Sequence, residues 1–165
     1  RGYSCMLYGL YEKKILRDFK YSGKSYYAPY LGELMYDRVA HLLENEIGAD
    51  IVVPVPLHRK KQNKRGYNQA DLLAISIGRY SRIPVDCNYL RRITETSPMK
   101  ELTDIERMYN IKNAFKTEGN KNYKNILIVD DIYTTGITLS ECARTMKSAG
   151  VSGVFGLTVC IGAGF

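Results

Sequence analysis

Two adjacent carboxylates, Asp130 and Asp131, follow directly on the apolar run Ile126-Leu127-Ile128-Val129 and precede the hydroxyl-rich turn Thr134-Thr135-Gly136-Ile137-Thr138. The apolar run reads as a strand buried on both faces, the usual state of a central parallel strand. A strand that ends in such a turn and passes into a helix offers a phosphate backbone N–H groups, hydroxyls and a helix dipole. Gly136 lets the backbone come close to the ligand. The carboxylates suit a different part of that ligand, either as acceptors for sugar hydroxyls or in the coordination of a hard cation such as Mg2+. The competing reading is purely architectural, with acids that end a strand and threonines that cap a helix. No Walker A sequence is present, and Gly150, Gly153 and Gly156 do not form a dinucleotide fingerprint.

A second group of chemically capable residues lies upstream. Five of the seven residues from Arg59 to Arg65 are Lys or Arg, and they follow Pro54-Val55-Pro56-Leu57-His58. Read as a bent loop at the same end of the sheet, this stretch would set a concentrated positive potential beside the acid pair. His58, Arg59 and Lys60 are candidates to hold an anion such as a pyrophosphate, whose charge they could stabilise electrostatically. Lys61, Lys64 and Arg65 are candidate contacts for that anion or for a nucleic-acid backbone. Tyr67 and the pair Tyr26-Tyr27 could stack on bases. The competing readings are a solvated basic loop and, for His58, a general acid or base whose protonated form the neighbouring cations disfavour. His41 falls off the apolar stripe of its helix and reads as a surface residue.

The elements that must position these groups follow from hydrophobic period and turn chemistry. Strands are expected at 3–8, 51–55, 85–90, 126–129 and 154–161. Helices are expected at 11–20, 29–47, 69–80 with Asn68 as N-cap, 103–110, and 139–149 closed by Gly150. Residues 91–102 read as a mobile loop. This alternation implies parallel strands joined by right-handed crossovers.

The stretch from Ile126 to Thr138 resembles the phosphoribosyl-pyrophosphate (PRPP) signature of the type I phosphoribosyltransferases. The resemblance implies an α/β fold with a mostly parallel central sheet, helices on both faces and a small variable hood. It places a 5′-phosphate on Thr134, Thr135, Gly136 and Thr138, and ribose hydroxyls and ligand-borne or water-bound Mg2+ on Asp130 and Asp131. V-P-V-P-L with the basic run and R-G-Y-N-Q narrows the resemblance to the ComF family. Lys20-Tyr21-Ser22-Gly23-Lys24 is similar to the K-Y-x-G-[KR] segment of that family, and Arg92, Thr96, Leu102, Arg107, Asn110, Ala114 and Phe115 fall at its spacings. Met99 stands where the family usually has Gln, and Cys5 is not carried over as a zinc ligand.

What the family implies is PRPP binding and transfer of phosphoribosyl to a nitrogen acceptor that no motif identifies. Alternatives are a PRPP-sensing regulator without turnover, and a competence accessory that binds single-stranded DNA or a helicase partner.

Length and composition agree with one domain. The chain has 165 residues, 45% hydrophobic and 25% charged, with 14 Tyr and 4 Phe for a core. Segments 1–24 and 91–102 are expected to supply the hood. The 24 basic against 17 acidic residues leave a net charge of +7, which favours an anionic partner. Four separated cysteines read as reduced thiols in a cytoplasmic protein. No stretch suits a membrane helix or a signal peptide, and the opening Arg1 suggests a fragment or processed chain whose natural N-terminus lies upstream.

Overall fold

The computed structural model describes residues 1–21, 23–94, 109 and 111–162. Apart from Tyr109, which is helical, the expected helix at 103–110 lies outside the described residues, as do positions Thr96, Met99, Leu102, Arg107 and Asn110.

The elements, in chain order, are β1 (Gly2–Leu7), α1 (Leu10–Tyr21), α2 (Ala28–Leu42) with a π-helical turn at Leu43–Ile47, β2 (Ile51–Pro54), α3 (Arg59–Arg65), α4 (Gln69–Ser81), β3 (Leu90–Arg92), β4 (Phe115–Thr117), β5 (Asn125–Tyr133), α5 (Ile137–Ser148) and β6 (Gly153–Ile161). The main sheet has the order β1-β6-β5-β2. All three of its pairings are parallel. β3 and β4 form a separate antiparallel pair.

Hydrophobic alternation explains the layering. Along β5, Leu127 and Val129 join the core built on α1, α2 and α4, whereas Ile126 and Ile128 join the core under α5. Side chains on successive strand residues point to opposite faces, so one strand serves two cores. The residues from Ile126 to Val129 are at most 1% exposed, and burying each aliphatic side chain contributes about 1.5–3 kcal/mol. The layout is the parallel α/β sandwich that the resemblance implies.

Several elements differ from expectation for local reasons. The expected basic loop is the helix α3. His58 accepts from the Lys60 N–H as N-cap, Gly66 closes the helix at φ 88°, and no Gly or Pro interrupts residues 59–65. The expected strand at 85–90 reduces to one bridge, Val85 to Val52, because Asp86 accepts from the Asn88 N–H and turns the chain. Regular pairing begins at Leu90 and takes Arg91 and Arg92 out of the expected mobile loop. The partner strand β4 is too short to leave a periodic signature. β5 does not stop at Val129, because β6 continues beside it to the Tyr133–Ile161 pair.

The expected hood segment 1–24 divides. Its first strand is the edge of the main sheet, and its helix lies over the core, with Leu16 and Phe19 buried.

Candidate functional site

Parallel pairing brings the two chemically capable stretches to one edge. Pro54 pairs with Val129, and the Val55 N–H donates to the Val129 carbonyl at 2.8 Å, so β2 and β5 end side by side. The chain leaves β2 toward the basic helix α3 and leaves β5 through the threonine turn into α5. The carboxyl edge of a parallel sheet is where ligands bind in open α/β folds.

Asp130 and Asp131 lie within β5, and its alternation sends them to opposite sides. Asp131 continues the Leu127 and Val129 side and is buried; its Oδ2 forms an ion pair with the Lys20 ammonium from the last turn of α1. Among the described residues, the Lys20 ammonium is what offsets the burial of that oxygen. Burial pulls the Lys20 ammonium toward losing its proton, but Asp131 and then Asp130 outweigh this and hold it above the ordinary lysine value. Asp130 continues the side of α5, within electrostatic reach of Cys142 and Arg92. One of its oxygens accepts from the Asp131 N–H at 2.8 Å. Burial, then the neighbouring Asp131, pushes the Asp130 carboxyl well above the usual carboxylate range, with Lys20 opposing.

The threonine turn is shaped for an anion. Gly136 takes φ 74° as N-cap of α5, and among the described residues no side chain caps the helix. The N–H groups of the first turn therefore have no intrahelical acceptor. A Cβ on Gly136 would collide with the Tyr133 hydroxyl, so the close approach is built from the strand below. Thr134 is exposed, and Thr135 and Thr138 are half-buried. Thr135 also faces a cleft of about 590 Å3 along α5, lined with Ile111, Ile137, Ser140, Glu141 and Arg144, which neither acid lines.

Of the basic candidates, Arg59, Lys60 and Lys64 are exposed on α3, while Lys61 and Arg65 are half-buried. The Arg65 guanidinium lies 5.1 Å above the Tyr21 ring and donates to Gln69. His58 is the N-cap of this helix. The R-G-Y-N-Q run proves to be a joint. The Tyr67 hydroxyl donates to the Phe19 carbonyl, and Asn68 donates to the Val55 carbonyl at 3.1 Å and to Asp71 at 2.7 Å. Sequence reasoning assigned no role to Lys20, Tyr21 or the Tyr67 hydroxyl; the basic–aromatic pair ending an amphipathic helix was the available signal. Among the described residues, no three His, Cys, Asp or Glu side chains converge as a metal cage. The acid pair fits Mg2+ only where a ligand or water supplies most of the oxygens.

Fold and edge together define an open parallel α/β domain that presents a hydroxyl-rich helix start beside an acid pair. No family model matches the chain. Curated relatives do. Competence protein F of Haemophilus influenzae is 34% identical over 145 residues, covering 83% of this chain and 62% of the relative. DNA utilization protein YhgH of Escherichia coli K12 is 32% identical over 143 residues, covering 85% and 63%. Competence protein ComFC of Bacillus subtilis is 37% identical over 103 residues, covering 61% and 39%. The chain is similar to these ComF-type proteins over most of its own length, and it spans about three fifths of the length of the first two relatives.

Among solved structures, it is similar to a hypoxanthine-guanine phosphoribosyltransferase of Bacillus anthracis, with TM-score 0.49 and 17% identity over 79% of this chain and 66% of the other. For UMP synthase of Leishmania donovani the values are 0.44, 16%, 80% and 27%. Both scores are too low to define the fold by themselves, which rests on strand order and register.

Proposed function

We propose that this domain binds PRPP at the carboxyl edge of its sheet and transfers phosphoribosyl to a nitrogen acceptor. The observation that carries this reading is the uncapped start of α5 beside Asp130 and Asp131, one strand away from the basic helix α3. The 5′-phosphate lies on the N–H groups and hydroxyls of Thr134, Thr135, Gly136 and Thr138. The sugar hydroxyls face the acid pair, and the pyrophosphate faces His58, Arg59 and Lys60. Mg2+ carried by the diphosphate would neutralise its charge as it leaves. Asp130 and Asp131 orient the sugar, while the cations of α3 stabilise the departing oxygens electrostatically. The free state of all four cysteines supports a cytoplasmic setting.

Thermal unfolding with PRPP and Mg2+ tests this reading. Ligand at about 100 times its dissociation constant adds about 2.7 kcal/mol, a shift of several degrees. The wild type is expected to show the shift. Gly136→Ala, which forces a side chain into a left-handed turn already filled by Tyr133, is expected to lose it. An absent shift in a folded wild type would overturn the assignment.

A second reading is favoured by the exposed cations of α3 and by the names of the relatives, which speak of competence and DNA utilization. In it the same edge holds single-stranded DNA in a competence role, with a helicase as protein partner, and PRPP acts as a regulator.

A further inference from the structure

Three consecutive residues at the end of α1 each grip a different part of the candidate site. The Phe19 carbonyl accepts from the Tyr67 hydroxyl, and the rings of these two residues lie 6.2 Å apart. The Lys20 ammonium pairs with Asp131. The Tyr21 ring lies under the Arg65 guanidinium at 5.1 Å. Tyr67 and Arg65 belong to the end of the basic helix and the joint behind it, whereas Asp131 belongs to the acidic strand.

Phe19 is fully buried, so its carbonyl sits on a fixed part of the core. Lys20 is largely covered, which makes its charge a local constraint and not a solvated one. The turn therefore ties the cationic side of the site to the carboxylate side across the gap where two strands end. β2 and β5 hydrogen-bond each other only as far as Val55 and Val129. Beyond that point the last turn of α1 connects what the sheet no longer holds.

We infer that residues Phe19, Lys20 and Tyr21, with Tyr67 and Arg65, form a positioning staple that sets the span between the two anion-binding ends of the site. The staple selects a ligand with phosphate groups at both ends over one with a phosphate at one end. This inference rests on the PRPP reading and adds a determinant of specificity to it. A ligand held only at the start of α5 does not feel the span. A ligand that also reaches α3 does, because its second anchor must arrive at a fixed distance from the first. Phe19, Lys20 and Tyr21 are positioning residues here, since they act through Tyr67, Asp131 and Arg65.

The test compares PRPP plus Mg2+ with ribose 5-phosphate by calorimetry, in the wild type, Tyr67→Phe and Tyr21→Leu. Tyr67→Phe removes one hydroxyl from a contact that keeps its ring, so the fold should survive, and circular dichroism with a melting curve verifies this. One hydrogen bond or ring contact corresponds to about a five- to tenfold change. Both variants are expected to lose about that factor for PRPP, while ribose 5-phosphate affinity changes less than about twofold. Equal losses for both ligands would reduce the staple to general architecture and overturn the inference, as would unchanged PRPP affinity in both folded variants. A wild type that binds neither ligand would overturn the PRPP reading and this inference with it. A wild type that binds both while the variants fail to discriminate would leave the PRPP reading standing and remove only the staple.

Discussion

At the scale of single residues, two neighbouring carboxylates have unlike surroundings because a strand alternates. Asp131 faces the side of α1 and has the Lys20 ammonium; Asp130 faces the side of α5 and carries a carboxyl raised by burial. The adjacency of the acids was legible in the sequence. Their separation to two faces and the identity of the cation were not, since Lys20 stands 111 positions before Asp131. Removing one partner of a covered ion pair leaves the other charge desolvated, which costs more than the pair contributes. Lys20→Met is therefore expected to destabilise the fold by about 3 kcal/mol in urea denaturation. Adding Asp131→Asn should recover part of that loss, so the double variant is more stable than the sum of the singles. Additive effects would show that the two groups do not interact in solution.

At the scale of elements, the largest departure from expectation is α3. Its residues form a cationic cluster that the sequence shows plainly, but the prolines at 54 and 56 that precede it suggest a loop and not a helix. Arg, Lys and Gln are good helix formers, and both ends are closed by their own chemistry, His58 at the start and Gly66 at the end. A helix changes what the charges can do, since it presents Arg59, Lys60 and Lys64 as a fixed set instead of a flexible tail. If this set meets a nucleic acid, binding of a fluorescent oligothymidine should weaken as salt rises. Neutralising Arg59, Lys60, Lys61 and Lys64 to Gln should then lower the slope of log affinity against log salt by up to about 3, at about 0.7 per phosphate contact on a single strand. Gln preserves helix propensity, so an unchanged slope would remove α3 from any nucleic-acid interface.

At the scale of the whole molecule, stability should depend on pH through a group outside the acid pair. Asp71, in the first turn of α4, has its carboxyl pushed up to about 6 by burial, opposed by the hydrogen bond from Asn68. Below about pH 4 the group is neutral folded and unfolded and costs nothing. As pH rises through 6 the unfolded chain carries the charge freely while the folded state resists it, and about 2–3 kcal/mol of stability is lost. Asp71→Asn keeps an acceptor for Asn68 and is expected to unfold later than the wild type at pH 8 and together with it at pH 3.5, as read by urea midpoints. A gap independent of pH would show that Asp71 does not titrate with folding. The layers, most of the helices, the buried central strand and the acidic and cationic character of the two candidate stretches were legible in the sequence, because hydrophobic period, capping residues and charge clusters are local signals. The three-dimensional arrangement was needed to show that β1 joins the main sheet at its edge beside β6, and that Phe19, Lys20 and Tyr21 reach both sides of the candidate site. These depend on which residues far apart in the chain come to lie side by side, and the parallel sheet, whose pairings are all long-range, makes that choice through burial and register.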